Sequence, residues 1–192
     1  MSLYFQFIAA PDVTESDAPQ KGADLTQWLI QEGVISPETN SRCALGQDEG
    51  HPPGPRYLEV CEADDPDENV YGATNHYGVA IITSRHVYHN GDGGFEYACS
   101  LCSAQFEFNT DEDICRRYTE AISDWYESGS PGSFACARCG VERSIVEWQW
   151  DGLWVVSQLG MEIWDWPPLS KAFLARIERQ LGHPIRYLHG KF

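Results

Sequence analysis

The chain has 192 residues, 42% of them hydrophobic, and carries 29 acidic against 13 basic side chains, for a net charge of −16. That apolar content excludes global disorder, and the length suits one domain or one domain with a small insertion. The acidic excess argues against binding a nucleic-acid backbone, whose phosphates need cations, and favours a basic protein partner or plain solubility.

In chain order, Met1 to Phe7 has neither a basic n-region nor a long apolar run, so no signal peptide is expected. No stretch approaches the length of a membrane span, and a cytoplasmic protein without membrane contact is expected. Leu3 to Ala9 predicts a strand from its aromatic and β-branched residues. Pro11 to Gly22 reads as a polar loop. A helix is expected from about Asp24, as N-cap, to Gly33, with Leu25, Trp28 and Leu29 on one face. Residues 36–69 form a long irregular region rich in Pro, Gly and acid. Val79 to His89 predicts a strand, residues 90–94 a turn, and Phe95 to Ala98 the returning strand. Thr110 is expected to cap a helix whose apolar face is Ile114, Tyr118, Ala121, Ile122 and Trp125. Ser144 to Trp150 alternates and reads as a strand; Asp151-Gly152 is a hairpin turn, and Leu153 to Ser157 the return. Met161 to Trp166 is a further strand. Ser170 caps a helix bearing Phe173, Leu174, Ile177 and Leu181, Gly182 ends it, and His183 to His189 is the last strand.

Cys99-Ser-Leu-Cys102 and Cys136-Ala-Arg-Cys139 are two CxxC pairs among seven cysteines. Each loop lets two sulfurs converge, and together they supply four soft ligands for a tetrahedral ion. Zinc in a structural role is expected, since a catalytic zinc keeps a position for water and usually takes His or carboxylate ligands. Iron would use the same four thiolates, and disulfides are the remaining alternative. Two CxxC pairs do not fit a thioredoxin-like redox site, which needs one at a helix start. Of the three cysteines left over, Cys61 and Cys115 read as small core residues, and one of Cys43, Cys61 and Cys115 could supplement or replace a ligand. Cys136-Ala-Arg-Cys139-Gly140 resembles the knuckle of the zinc-ribbon superfamily. The resemblance covers about a quarter of the chain and implies a structural metal at Cys99, Cys102, Cys136 and Cys139. The chain departs from the simplest ribbons in its long, helix-bearing spacer and in Ser103, which stands where a glycine would follow the first pair.

His86 and His89, four positions long as a segment, would point to opposite faces of a strand and so would not chelate one ion; with His76 they read as surface or turn histidines. The acids Asp64, Asp65, Asp67 and Glu68 could hold a hard cation but lack EF-hand spacing, and read as a solvated loop. There is no nucleophile elbow, phosphate-binding loop, dinucleotide fingerprint or HExxH. By alternation Trp148 and Trp150 share a face of one strand, and Trp164 and Trp166 a face of another; interleaved with Glu147, Asp151, Glu162 and Asp165, they could form an aromatic patch rimmed by acids, a surface suited to a basic partner.

The element order β-α-β twice, with the cysteine region between, predicts an α+β fold: a ferredoxin-like (split βαβ) sheet from residues 1–94 and 143–192, carrying a zinc-ribbon-like insertion at 95–142. The function expected is non-catalytic: an acidic zinc protein that binds and inhibits a basic protein, with Glu62, Asp64, Asp65, Asp67, Glu68, Trp148, Trp150, Asp151, Trp164, Asp165 and Trp166 as the binding residues. In being small, acidic and poor in motifs the chain is similar to bacterial immunity proteins, which implies a toxin, plausibly a nuclease, as partner and no direct contact with nucleic acid. Two alternatives stand beside it: a metal-dependent hydrolase using the Asp64–Glu68 cluster, and a zinc-ribbon adaptor in a protein assembly.

Overall fold

A computed structural model describes residues 3–47, 49–62, 76–90, 96–107, 112–150 and 154–191. The chain is a mixed α/β protein with three helices and several antiparallel sheets among the described residues. Its principal sheet has four strands: β1 (Tyr4–Ala9), β2 (Gly78–Ile82), β10 (Gly160–Trp164) and β11 (Arg186–Lys191). Their order is β11-β1-β10-β2, antiparallel throughout.

Alternation along β1 sends its side chains to two different cores. Ile8 joins Leu25, Leu29, Met161, Ile163, Phe173 and Ile177 under helices α1 (Ala18–Gln31) and α3 (Lys171–Leu181). Phe5, Phe7 and Ala9 face the other way, against Trp164, Leu188, Tyr88 and Val155. Tyr88 and Val155 come from β3 (His86–His89) and β9 (Trp154–Ser157), which pair with each other and cover that second face. Both faces of the sheet are thus buried, which is why β10 is so uniformly shielded from water.

Helix α1 starts at Ala18, inside the stretch expected to be loop. Pro19 sits in the first turn, where its fixed φ suits the helix and its missing N–H is not needed. Ala18, Gly22, Leu25 and Leu29 are its buried stripe. Gly22 marks a close approach rather than a loop end: a Cβ there would lie 2.3 Å from the Thr83 side chain. Asp24, the expected cap, is mid-helix and accepts a hydrogen bond from Gln20 at 2.8 Å. Helix α3 follows expectation at both ends, with the Ser170 hydroxyl accepting from the Phe173 N–H and Gly182 closing in the left-handed conformation.

The expected strand from 79 to 89 is two strands in two sheets, because the chain turns between them at Thr83–Arg85. Arg85 is the anchor of that turn. It donates to the carbonyl oxygens of Trp125 and Ser130, pairs with Glu15 at 3.0 Å, and lies over the Trp125 ring. The returning strand also differs. β4 (Glu96–Ala98) pairs with β5 (Gln105–Glu107) and β8 (Gln149–Trp150), not with β3. β8 and β9, expected to be a hairpin, belong to different sheets. Residues 91–95, 108–111 and 151–153, which include both expected turns and Thr110, lie outside the described residues. The expected strand 144–150 is interrupted by a 3-10 turn at Ile145–Glu147, where the Glu147 carboxylate accepts the Ser144 N–H at 2.9 Å. With the Ser144 side chain accepting in turn from the Glu147 N–H, this is a capping box, for which Ser-x-x-Glu is the sequence signal.

A third core lies under helix α2 (Glu112–Glu127), where Tyr118, Ala121 and Trp125 meet Tyr97, Phe134, Ile145 and Trp148. Phe134 belongs to β6 (Ser133–Ala135), which forms a hairpin with β7 (Glu142–Ser144). All of β3 to β9 lies in the connection from β2 to β10, two strands that are direct neighbours in the sheet.

Candidate metal centre

Two short hairpins build the site. β4–β5 carries Cys99 and Cys102 at its tip, and β6–β7 carries Cys136 and Cys139. The backbone around the two tips is the same. The Cys99 N–H donates to the Ala104 oxygen at 3.0 Å and the Cys136 N–H to the Val141 oxygen at 3.0 Å. Ser103 N–H returns to the Cys99 oxygen and Gly140 N–H to the Cys136 oxygen, each at 2.8 Å. Each tip needs a left-handed residue after its second cysteine: Ser103 has φ 56° and Gly140 φ 71°.

The four sulfurs lie within 4.8 Å of one another. Cys99 Sγ is 3.9 Å from Cys139 Sγ, and Cys102 Sγ is 3.8 Å from Cys136 Sγ. A tetrahedral ion about 2.3 Å from each sulfur requires S···S edges of about 3.8 Å; these two pairs match that edge, and the donor set could hold a metal ion. Cys99 and Cys136 are buried, Cys102 is half-buried and Cys139 is exposed, so the site sits at the rim of the third core. Backbone N–H groups of Cys102 and Leu101 point at the Cys99 sulfur and lower its pKa to about 6, which provides a first thiolate near neutral pH. The Ala104 N–H favours the Cys102 thiolate, but burial and the three neighbouring thiols outweigh it and push that pKa up to about 11. A cation at the centre would reverse that balance, since ligand thiols give up their protons on binding.

The cost at Ser103 gives a local prediction. A non-glycine residue in the left-handed region is strained by about 1 kcal/mol. Ser103→Gly is expected to raise the stability of the metal-loaded protein by about 0.5–1 kcal/mol, measured as slower metal loss to a competing chelator. A faster loss would show that the serine side chain holds the knuckle.

The other cysteines stand apart. Cys43 is buried, its thiol donates to the Asn40 side-chain oxygen at 3.2 Å, and burial raises its pKa. Cys61 contacts the Tyr57 carbonyl oxygen at 3.3 Å. Cys115 is half-buried on α2. Among the described residues, the Cys99–Cys139 quartet is the one convergence of three or more metal-ligand side chains.

The remaining expected site residues scatter. Trp148, Trp164 and Trp166 are 4%, 4% and 1% exposed and Asp165 is fully buried, so they form no surface patch. Trp164 and Trp166 do not share a face. Asp165, with φ 59°, turns the chain at the end of β10, sending Trp164 to the second core and Trp166 to the first. Glu162 is not a rim acid either: it is 3% exposed, bonded to His86 Nε2 at 3.1 Å and near the Trp164 indole N–H at 3.4 Å. His86 is therefore half-buried between Glu162 and Tyr88, and His89 stacks on Trp154 at 4.6 Å, where burial lowers its pKa. Glu62 is exposed. Asp64, Asp65, Asp67, Glu68, Asp151 and the Trp150 side chain lie outside the described residues.

Sequence reasoning missed Gln6. It is 3% exposed on β1, and its amide is fully used. Nε2 donates to the Trp166 and Pro167 oxygens, and Oε1 accepts from the Leu169 N–H and the Tyr187 hydroxyl. No helix among the described residues is long and apolar enough to cross a membrane. Comparison with family models, with curated proteins and with solved structures found no match.

Proposed function

We propose that this is a non-catalytic, zinc-stapled acidic protein that binds and inhibits a basic protein, in the manner of an immunity protein against a cytoplasmic toxin such as a nuclease. The observation that carries it is the charge: −16 overall, with much of the positive charge already engaged. Arg56 pairs with Glu59, Arg85 with Glu15, Arg116 with Asp113 and Glu120, Arg143 with Glu147, and Arg176 with Glu32. The surviving field is negative, and a negative field of this size speeds encounter with a cationic surface.

The strand order β11-β1-β10-β2, with α1 and α3 on one face, supports reading the principal sheet as ferredoxin-like. The two matching knuckles support a zinc-ribbon-like insertion, and the pairing of β4 with β8 supports extending it from 95–142 to about residue 150. In this reading the metal is structural zinc. All four positions are protein thiolates, so the ion organises the insertion and has no coordination position left for substrate.

The test is affinity purification from native extract, followed by binding at increasing salt. A basic protein is expected to be recovered, with association slowed at least tenfold between low and physiological ionic strength. Recovery of no basic protein would sink the reading, and so would binding of a recovered protein that is unchanged after charge neutralisation of Glu62, Asp64, Asp65, Asp67 and Glu68.

A further inference from the structure

The four sulfurs of the quartet are sheltered unequally. Cys99 and Cys136 are buried and Cys102 is half-buried, whereas Cys139, alone among the seven cysteines, is exposed. One corner of the donor set therefore faces water. The chain around that corner is open: Ala137, Arg138, Gly140, Val141 and Glu142 are all exposed, and a Cβ added at Gly140 would meet no atom within 4 Å. The exposed sulfur also has a sheltered neighbour on the other hairpin. Cys139 Sγ lies 3.9 Å from Cys99 Sγ, and Cys102 and Cys136 make a second such contact at 3.8 Å. Both contacts cross from one knuckle to the other.

We infer that Cys139 is a site of oxidation by peroxides, and that its sulfur then joins Cys99 Sγ in a disulfide tying the two knuckles together. A thiol that ligates a metal is held as the thiolate, the form that attacks a peroxide. The Cys139 sulfur takes one peroxide oxygen as the O–O bond breaks, giving a sulfenic acid; the other oxygen leaves as hydroxide and is protonated to water. The Cys99 thiolate then attacks that sulfur. The S–S bond forms, the S–O bond breaks, and a second hydroxide is protonated to water. Two thiolates lose two electrons, one peroxide becomes two waters, and two protons are taken up. The sulfurs close from 3.9 Å to about 2.0 Å in the process. Two thiolates remain, too few for a closed zinc site, so the ion is given up. The new bond joins β4–β5 to β6–β7 and takes over as the staple between them, whereas a bond within one knuckle would leave the hairpins untied. The inference rests on the reading of the quartet as a zinc site and adds which ligand is attacked and what replaces the ion.

The test takes the full chain loaded with one zinc, confirmed by elemental analysis, and adds one equivalent of hydrogen peroxide. A chromogenic chelator follows zinc release, and remaining thiols are blocked before digestion with trypsin. Trypsin cuts after Arg85, Arg116, Arg117, Arg138 and Arg143, so Cys99, Cys136 and Cys139 fall on three separate peptides. The expected product joins residues 86–116, through Cys99, to residues 139–143, with one zinc released per chain and hydrogen-exchange protection kept at 96–150. Cys139→His leaves zinc a nitrogen ligand that peroxide does not attack, and should slow release at least tenfold; Cys102→His should change it by less than about twofold. A bond joining residues 118–138 to 139–143, equal slowing by both variants, or protection lost on oxidation would each overturn the inference. Zinc retained in the presence of peroxide would also overturn it and leave the zinc reading standing. Failure of the chain to bind zinc at all would remove both.

Discussion

Removing a metal ion bound at the four cysteines is expected to unfold residues 96–150 while the four-stranded sheet stays folded. The strands that carry the knuckles, β4 to β7, have three residues each, too short to hold one another without help. Their core is one cluster around Tyr97, Tyr118, Trp125 and Trp148, and units of this size commonly need a metal or disulfide. Structural zinc contributes on the order of 10–16 kcal/mol in small zinc modules at neutral pH, far more than such a cluster can replace. The principal sheet keeps its own two cores, which draw on α1, α3 and the β3–β9 pair. Hydrogen exchange with and without a strong chelator, alongside elemental analysis, reads both regions at once. One metal per chain, with protection lost at 96–150 and kept in β1, β10 and β11, is the expected pattern. Cys136→Ser should reproduce it. Full protection of β4 to β7 after complete metal loss would show that the cysteines do not staple the fold.

The second large effect is expected at Gln6→Leu. The substitution is close in volume and suits a buried strand, yet it strands four polar groups: the carbonyls of Trp166 and Pro167, the Leu169 N–H and the Tyr187 hydroxyl. A buried donor or acceptor left without a partner costs about 1–3 kcal/mol. Some of this is recovered by burying leucine, so a net loss of about 4 kcal/mol is expected, visible as a fall of about 2 M in the urea midpoint. A loss below about 1 kcal/mol would mean that the 165–169 segment finds other partners.

The contrast between these two sites explains what could be read in advance. The cysteine quartet was legible because each CxxC makes its own turn within a few residues, and the chemistry of four thiols narrows their use. Gln6 was not, since its partners lie some 160 or more positions away and a glutamine in a strand has no local signature. The tryptophans misled for a related reason. Alternation placed Trp164 and Trp166 on one face, but one left-handed residue, Asp165, breaks the period between them. The break after β2 was hidden in the same way, because the role of Arg85 depends on α2 carbonyls from a later stretch of chain. α3 was legible because its cap, apolar spacing and terminal glycine are all local.

The placement of β3 to β9 between two neighbouring strands has a kinetic consequence. Ile82 lies opposite Gly160, so β2 and β10 meet where a tight turn could join them, yet the chain makes an excursion through residues 83–159. Closing so long a loop before any contact rewards it is entropically unfavourable, by about 0.6 kcal/mol for each doubling of length. Contact order alone would therefore make this sheet slow to form. An excursion that folds first around its ion draws its own ends together and shortens the loop the sheet must close. A metal bound at the four cysteines would then set how quickly the principal sheet assembles, although the cores of that sheet do not include the site.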